Sequence, residues 1–119
     1  KQSIDKEKPM EIYRYLKKLS KLEREILSNA SLILNLDIVK SEKDEIYYML
    51  AQVYEKQWKY EKAREYYQKI VDSHTDKQGI YAKNSFKKIQ EIRKLLFNIK
   101  NGKEKNKLEE LYEKYGFLQ

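Results

Sequence analysis

The chain has 119 residues, 40% of them hydrophobic and 38% charged, with 26 basic against 19 acidic side chains and a net charge of +7. That length suits one domain with its own core, and no apolar run approaches the roughly 18 residues of a membrane-spanning helix. Cysteine is absent, which excludes a disulfide framework and any Cys-based zinc site and is compatible with either redox compartment.

One Pro, three Gly and an abundance of Lys, Glu, Leu, Gln and Arg predict an all-α fold, because these side chains lose little rotamer freedom in a helix. Residues 1–8 read as a disordered linker and 9–119 as a single helical domain. The chain opens on Lys1 rather than Met, which points to an upstream segment missing from this chain.

Pro9 suits a first helical turn, and Glu11 complements the positive end of the helix dipole. From there Ile12, Leu16, Leu19, Leu22 or Glu23, Ile26, Ala30 and Ile33 recur at three- and four-residue intervals as one apolar stripe. Ser28, Asn29 and Ser31 either sit on the wet face of one long helix or divide it into two; the reading adopted is a break. Ser41 and Asp44 form a capping-box pattern that opens a helix to about Gln57. After a tight turn at Trp58 and Lys59, a second helix is expected over Tyr60 to Asp72. Thr75 and Gln78 repeat the capping pattern before a helix over 76–100, whose stripe is Ala82, Phe86, Ile89, Ile92, Leu96 and Ile99. Asn101 and Gly102 end it. A last helix over 104–115 carries Leu108, Leu111, Tyr112 and Tyr115 on one side and stops at Gly116, with Phe117 and Leu118 folding back.

With a repeat beginning at Asp44, Tyr47, Leu50, Ala51, Tyr54, Ala63 and Tyr67 fall on the fourth, seventh, eighth, eleventh, twentieth and twenty-fourth positions, where the 34-residue tetratricopeptide repeat has its bulky, small and aromatic residues. Segment 44–77 resembles that family. Ala51 and Ala63 let two helix backbones approach, and Leu50, Tyr54 and Tyr67 fill the space around them. The pattern departs at Ile70, where a small residue is usual, at Trp58, where Gly often turns the chain, and at Thr75, where Pro is common. One repeat length back, Tyr13 and Leu16 fit but Lys17, Ser20 and Asn29 do not; one length forward, Tyr81 fits but Asn84, Ser85 and Lys88 depart from the pattern. The expected architecture is therefore antiparallel hairpins stacked either as a short right-handed array or as a compact bundle, with the helices over 76–100 and 104–115 as caps.

The resemblance implies a non-catalytic domain that binds, and stabilises, another protein. In the family, ligands lie along the first helix of each repeat, and the matching positions are Glu45, Tyr48, Gln52, Glu55 and Lys56. Tyr48 either offers an aromatic anchor to a partner or packs against a neighbouring helix. The adjacent pairs Tyr47–Tyr48 and Tyr66–Tyr67 point about 100° apart on their helices, so one member of each pair should be less buried.

The charge is uneven: residues 1–76 hold 15 basic and 14 acidic side chains, and 77–119 hold 11 and 5. Lys83, Lys87 and Lys94, at spacings of four and seven, form a basic patch. Its alternatives are a solvated face and an electrostatic surface for nucleic acid or a peripheral contact with anionic membrane. The missing RNA-binding and helix-turn-helix motifs and the excess of Lys over Arg argue against nucleic acid. Self-association, which would cover the open ends of an incomplete stack, is a further alternative. Enzyme activity finds no support: His74 is the only histidine and reads as a loop residue, no phosphate loop exists, and no cofactor or metal is implied. The heavy use of Lys, Ile, Asn and Tyr resembles the product of an AT-rich bacterial genome, such as a spirochaete's. Cytoplasm and cell envelope both stay open as its location.

Overall fold

Pro9 opens the first of five helices in the computed structural model, which describes residues 9–33, 40–73 and 79–116. The helices are α1 (Pro9–Ile33), α2 (Lys40–Lys56), α3 (Tyr60–Asp72), α4 (Ile80–Lys100) and α5 (Lys107–Tyr115). No strand occurs among the described residues, and the chain is all-α with packed helical hairpins.

α1 is one continuous helix, so the expected break at Ser28 and Asn29 is absent. Both residues are exposed. With no Gly or Pro nearby, polar side chains on a wet face leave the backbone ladder intact. Ile12, Leu16, Leu19 and Ala30 are buried, and Ile26 is half-buried. At the ambiguous position Glu23 turns inward while Leu22 stays 42% exposed. Glu23 accepts hydrogen bonds from the Tyr54 hydroxyl at 3.0 Å and from Gln57 Nε2 at 3.2 Å, which fastens α1 to the end of α2.

α2 already begins at Lys40, so Ser41 lies inside the helix and the expected capping box is not what starts it. Asp44 has another role. It is buried at the start of the hairpin, and Ser73 Oγ, just beyond α3, lies 3.1 Å from its carboxylate and 2.8 Å from the Ile70 carbonyl. At the other end of the hairpin Trp58 adopts φ 61°, a left-handed conformation that costs a bulky L-residue about 1–2 kcal/mol. Lys59 N–H donates to the Tyr54 carbonyl at 2.9 Å and Trp58 N–H to the Glu55 carbonyl at 3.0 Å, closing the last turn in a Schellman motif. The Trp58 ring offsets its backbone cost by packing, half-buried, against a cluster of Ile12, Leu16, Leu19 and Leu111.

α3 covers the predicted range. α4 packs along α3 and also touches α2, but it starts at Ile80 from an extended Gly79 rather than at 76. The Thr75–Gln78 capping pattern and His74 lie outside the described residues, as do the expected linker at 1–8 and the fold-back of Phe117 and Leu118. Phe86, expected in the core stripe of α4, is 43% exposed, and Ser85 takes the inward position with no exposure. Ala82, Ile89 and Ile92 are buried as the spacing predicts, with Leu96 and Ile99 half-buried.

α5 starts at Lys107 rather than 104, because Asn106 caps it: its side-chain oxygen accepts from Leu108 N–H at 2.9 Å and Glu109 N–H at 3.3 Å. Gly116 ends it at φ 69°. Leu111, 1% exposed, joins the Ile12, Leu16 and Leu19 cluster, so the last helix is tied back to the first.

Candidate partner-binding surface

The hairpin of α2 and α3 is held by the residues whose spacing singled it out. Ala51 and Ala63 have no exposure, and Leu50, Tyr54 and Tyr67 are buried around them together with Val71, Ile89 and Ile92. Ile70, the position where a small residue is usual, is also fully buried. Tyr47 is half-buried.

The tyrosine pairs divide into two sets of rings. Tyr66 stacks on Tyr54 at 5.5 Å and meets Tyr47 at 6.1 Å, whereas Tyr48 lies 5.6 Å edge-on to Tyr67 and 5.1 Å from Tyr81 of α4. Adjacent residues thus brace different sides of the hairpin. In the 66–67 pair the expected contrast is present, Tyr67 buried and Tyr66 half-buried; Tyr47 and Tyr48 are both half-buried.

Glu55 joins three helices. It accepts from the Tyr67 hydroxyl at 2.8 Å and from Lys88 Nζ at 3.1 Å, and Lys88 also lies 3.9 Å from Glu91. Burial alone lowers the Lys88 ammonium, but the hydrogen bond and charge of Glu55 and the charge of Glu91 outweigh it and hold it above its ordinary range. Tyr48 meets Tyr81 and Glu55 meets Lys88, both 33 residues on, so α2 and α4 run parallel, side by side, at an offset one residue short of the 34-residue repeat.

This geometry sorts the five residues proposed for ligand contact. Tyr48 and Glu55 are half-buried and engaged with α3 and α4, while Glu45, Gln52 and Lys56 are exposed. Those three lie within about 40° of one another on the helix. Met49, 43% exposed, sits among them and was missed; its four-residue spacing from Glu45 was the available signal. The result is an open strip, Glu45, Met49, Gln52 and Lys56, beside a floor fixed by Tyr48 and Glu55. Lys83, Lys87 and Lys94 are exposed on α4. Among the described residues no group of three or more His, Asp or Glu is placed to hold a metal ion.

Burial raises the Tyr54 and Tyr67 phenols well above their ordinary value of 10.0, and acceptance by Glu23 and Glu55 raises them further. Burial also raises Tyr60 and Tyr66. A phenol raised in the folded state contributes stability that is complete below about pH 10 and is lost as pH climbs past the unfolded value, where the unfolded chain ionises first. The expected result is alkaline unfolding in which helical ellipticity and phenolate absorbance change together, with Tyr54→Phe flattening the dependence. Tyrosines that all titrate at about pH 10 with the helices intact would contradict this burial.

Residues 44–73 match the family model for the tetratricopeptide repeat. No curated protein and no solved structure is significantly similar to the chain.

Proposed function

From the premise that residues 44–73 are a tetratricopeptide repeat, we propose that the chain is a non-catalytic scaffold that binds a segment of another protein along α2 and stabilises it there. The observation that carries this reading is the open strip Glu45, Met49, Gln52 and Lys56 on a helix whose other sides are packed against α1, α3 and α4. A strip of this kind suits a partner. Met49 supplies an adaptable apolar contact, Gln52 an amide able to donate and accept, and Glu45 and Lys56 opposite charges at either end. The floor is stiff because Tyr48 and Glu55 are held from behind, so little ordering is required when a partner docks.

A photo-crosslinker placed at Gln52 should capture a partner from its source lysate. Met49→Arg should then weaken binding of that purified partner about tenfold or more while leaving the melting temperature unchanged. Sedimentation of the chain alone separates this from self-association. An affinity indifferent to Met49→Arg and to Gln52→Ala would remove the strip from the binding surface.

A further inference from the structure

α4 turns a second face outward that the repeat does not use. On a helix of 3.6 residues per turn, Phe86, Gln90, Arg93 and Phe97 stack along one line spanning about 60°. All four are exposed, Phe97 at 61%. Lys83, Lys87 and Lys94 border the line on one side and Lys100 on the other, and these too are exposed. Glu91, the one carboxylate of α4, lies about 140° away from Phe86 and is drawn toward Lys88. Asp72 of α3 lines the same cleft as Phe86 and Arg93, and its carboxylate accepts from Gln68 at 2.8 Å. Tyr81 and Lys88, which meet α2, sit on the far side of α4, so this face is separate from the strip on α2.

We propose that this face docks on an anionic lipid surface, with Phe86 and Phe97 entering the boundary between headgroups and acyl chains and the flanking cations lying among the headgroups. Among the described residues no helix is long and apolar enough to cross a membrane, and the contact proposed is an interfacial one. Charge complementarity selects the occupant. Lysines on flexible stems suit the diffuse charge of a headgroup layer, whereas carboxylates of an acidic protein are gripped best by Arg forks, of which the face has one. Phe86 and Phe97 are separated by about 16 Å of helix rise, too far for their rings to stack on successive bases of a single strand. A straight line of rings flanked by cations does match a flat surface, into which rings insert while the lysine stems reach outward.

The test is co-sedimentation of the full chain with vesicles of phosphatidylcholine alone and of phosphatidylcholine mixed with phosphatidylglycerol. Binding is expected only to the mixed vesicles and should fall with added salt. Neutralising Lys83, Lys87 and Lys94 together to Gln should lower the partition about 100-fold. Phe97→Ser should lower it about tenfold with helical ellipticity unchanged. Met49→Arg should leave it unaltered, which separates this surface from the one on α2. Absence of binding, equal binding to neutral vesicles, or binding that survives both the lysine and the Phe97 variants would overturn the proposal. So would tighter binding of polyglutamate or single-stranded DNA at the same lysines.

Discussion

Tyr67→Ala is expected to destabilise the fold by about 3–5 kcal/mol, the range for removing a large buried aromatic side chain. Tyr67 has no exposure, and its ring fills the wedge between the two helices of the hairpin, edge-on to Tyr48. Its hydroxyl donates to Glu55, which in turn holds Lys88, so one side chain links α3 to α2 and, through Glu55, to α4. Domains of this size have only about 5–15 kcal/mol of total stability, so the variant should be largely unfolded under mild denaturant. Tyr67→Phe separates packing from hydrogen bonding. It keeps the ring and should cost about 1–2 kcal/mol, because Glu55 then retains only Lys88. Urea unfolding followed by ellipticity measures both. A Tyr67→Ala loss below about 1 kcal/mol would mean that the wedge is not filled as described.

Spacing alone located the hairpin, because a tetratricopeptide repeat places its constraint on a few residues that must be small or bulky at fixed offsets. Ala51, Ala63 and Tyr67 are of this kind, and the family match over 44–73 falls on the same segment. The parts that were not legible depend on partners distant in sequence. Leu111 finds its place against Ile12, Leu16 and Leu19 at the opposite end of the chain, and no local pattern announces such a contact. Glu23 turns inward in place of Leu22 because Tyr54 and Gln57 present two donors there. Ser85, one repeat length after Ala51, departs from the Ala of the pattern but is small enough to be buried there, and its burial leaves Phe86 outside; weighing hydrophobicity above size put the wrong one of these neighbours in the core. The strip on α2 was half visible. Register placed Glu45, Gln52 and Lys56 together, but which of the five residues α4 would engage depended on the side-by-side packing of the two helices.

Ala51→Leu and Ala63→Leu should each cost about 1–3 kcal/mol, and more where the backbones cannot yield. Both residues have no exposure and lie in the same buried cluster, Ala51 on α2 and Ala63 on α3. Leu stands only slightly below Ala in helix propensity, so a loss of this size reports packing between the helices rather than the helices themselves. Ala30 of α1, 4% exposed, is a useful control, because Ala30→Leu crowds a buried site outside the hairpin cluster. The two hairpin variants should be non-additive, since both enlarge one shared gap and relaxation that admits the first Leu already makes room for the second. Additive losses in a double-mutant cycle would place the two alanines in independent surroundings. Near-neutral single variants would mean that the helices stand far enough apart for larger side chains, and the small residues at the eighth and twentieth positions would then have no structural cause. The same variants also carry a functional consequence: spreading α2 from α3 displaces Tyr48 and Glu55 from their supports in Tyr67, so the partner binding proposed along Glu45, Met49, Gln52 and Lys56 should weaken even where the strip itself is untouched.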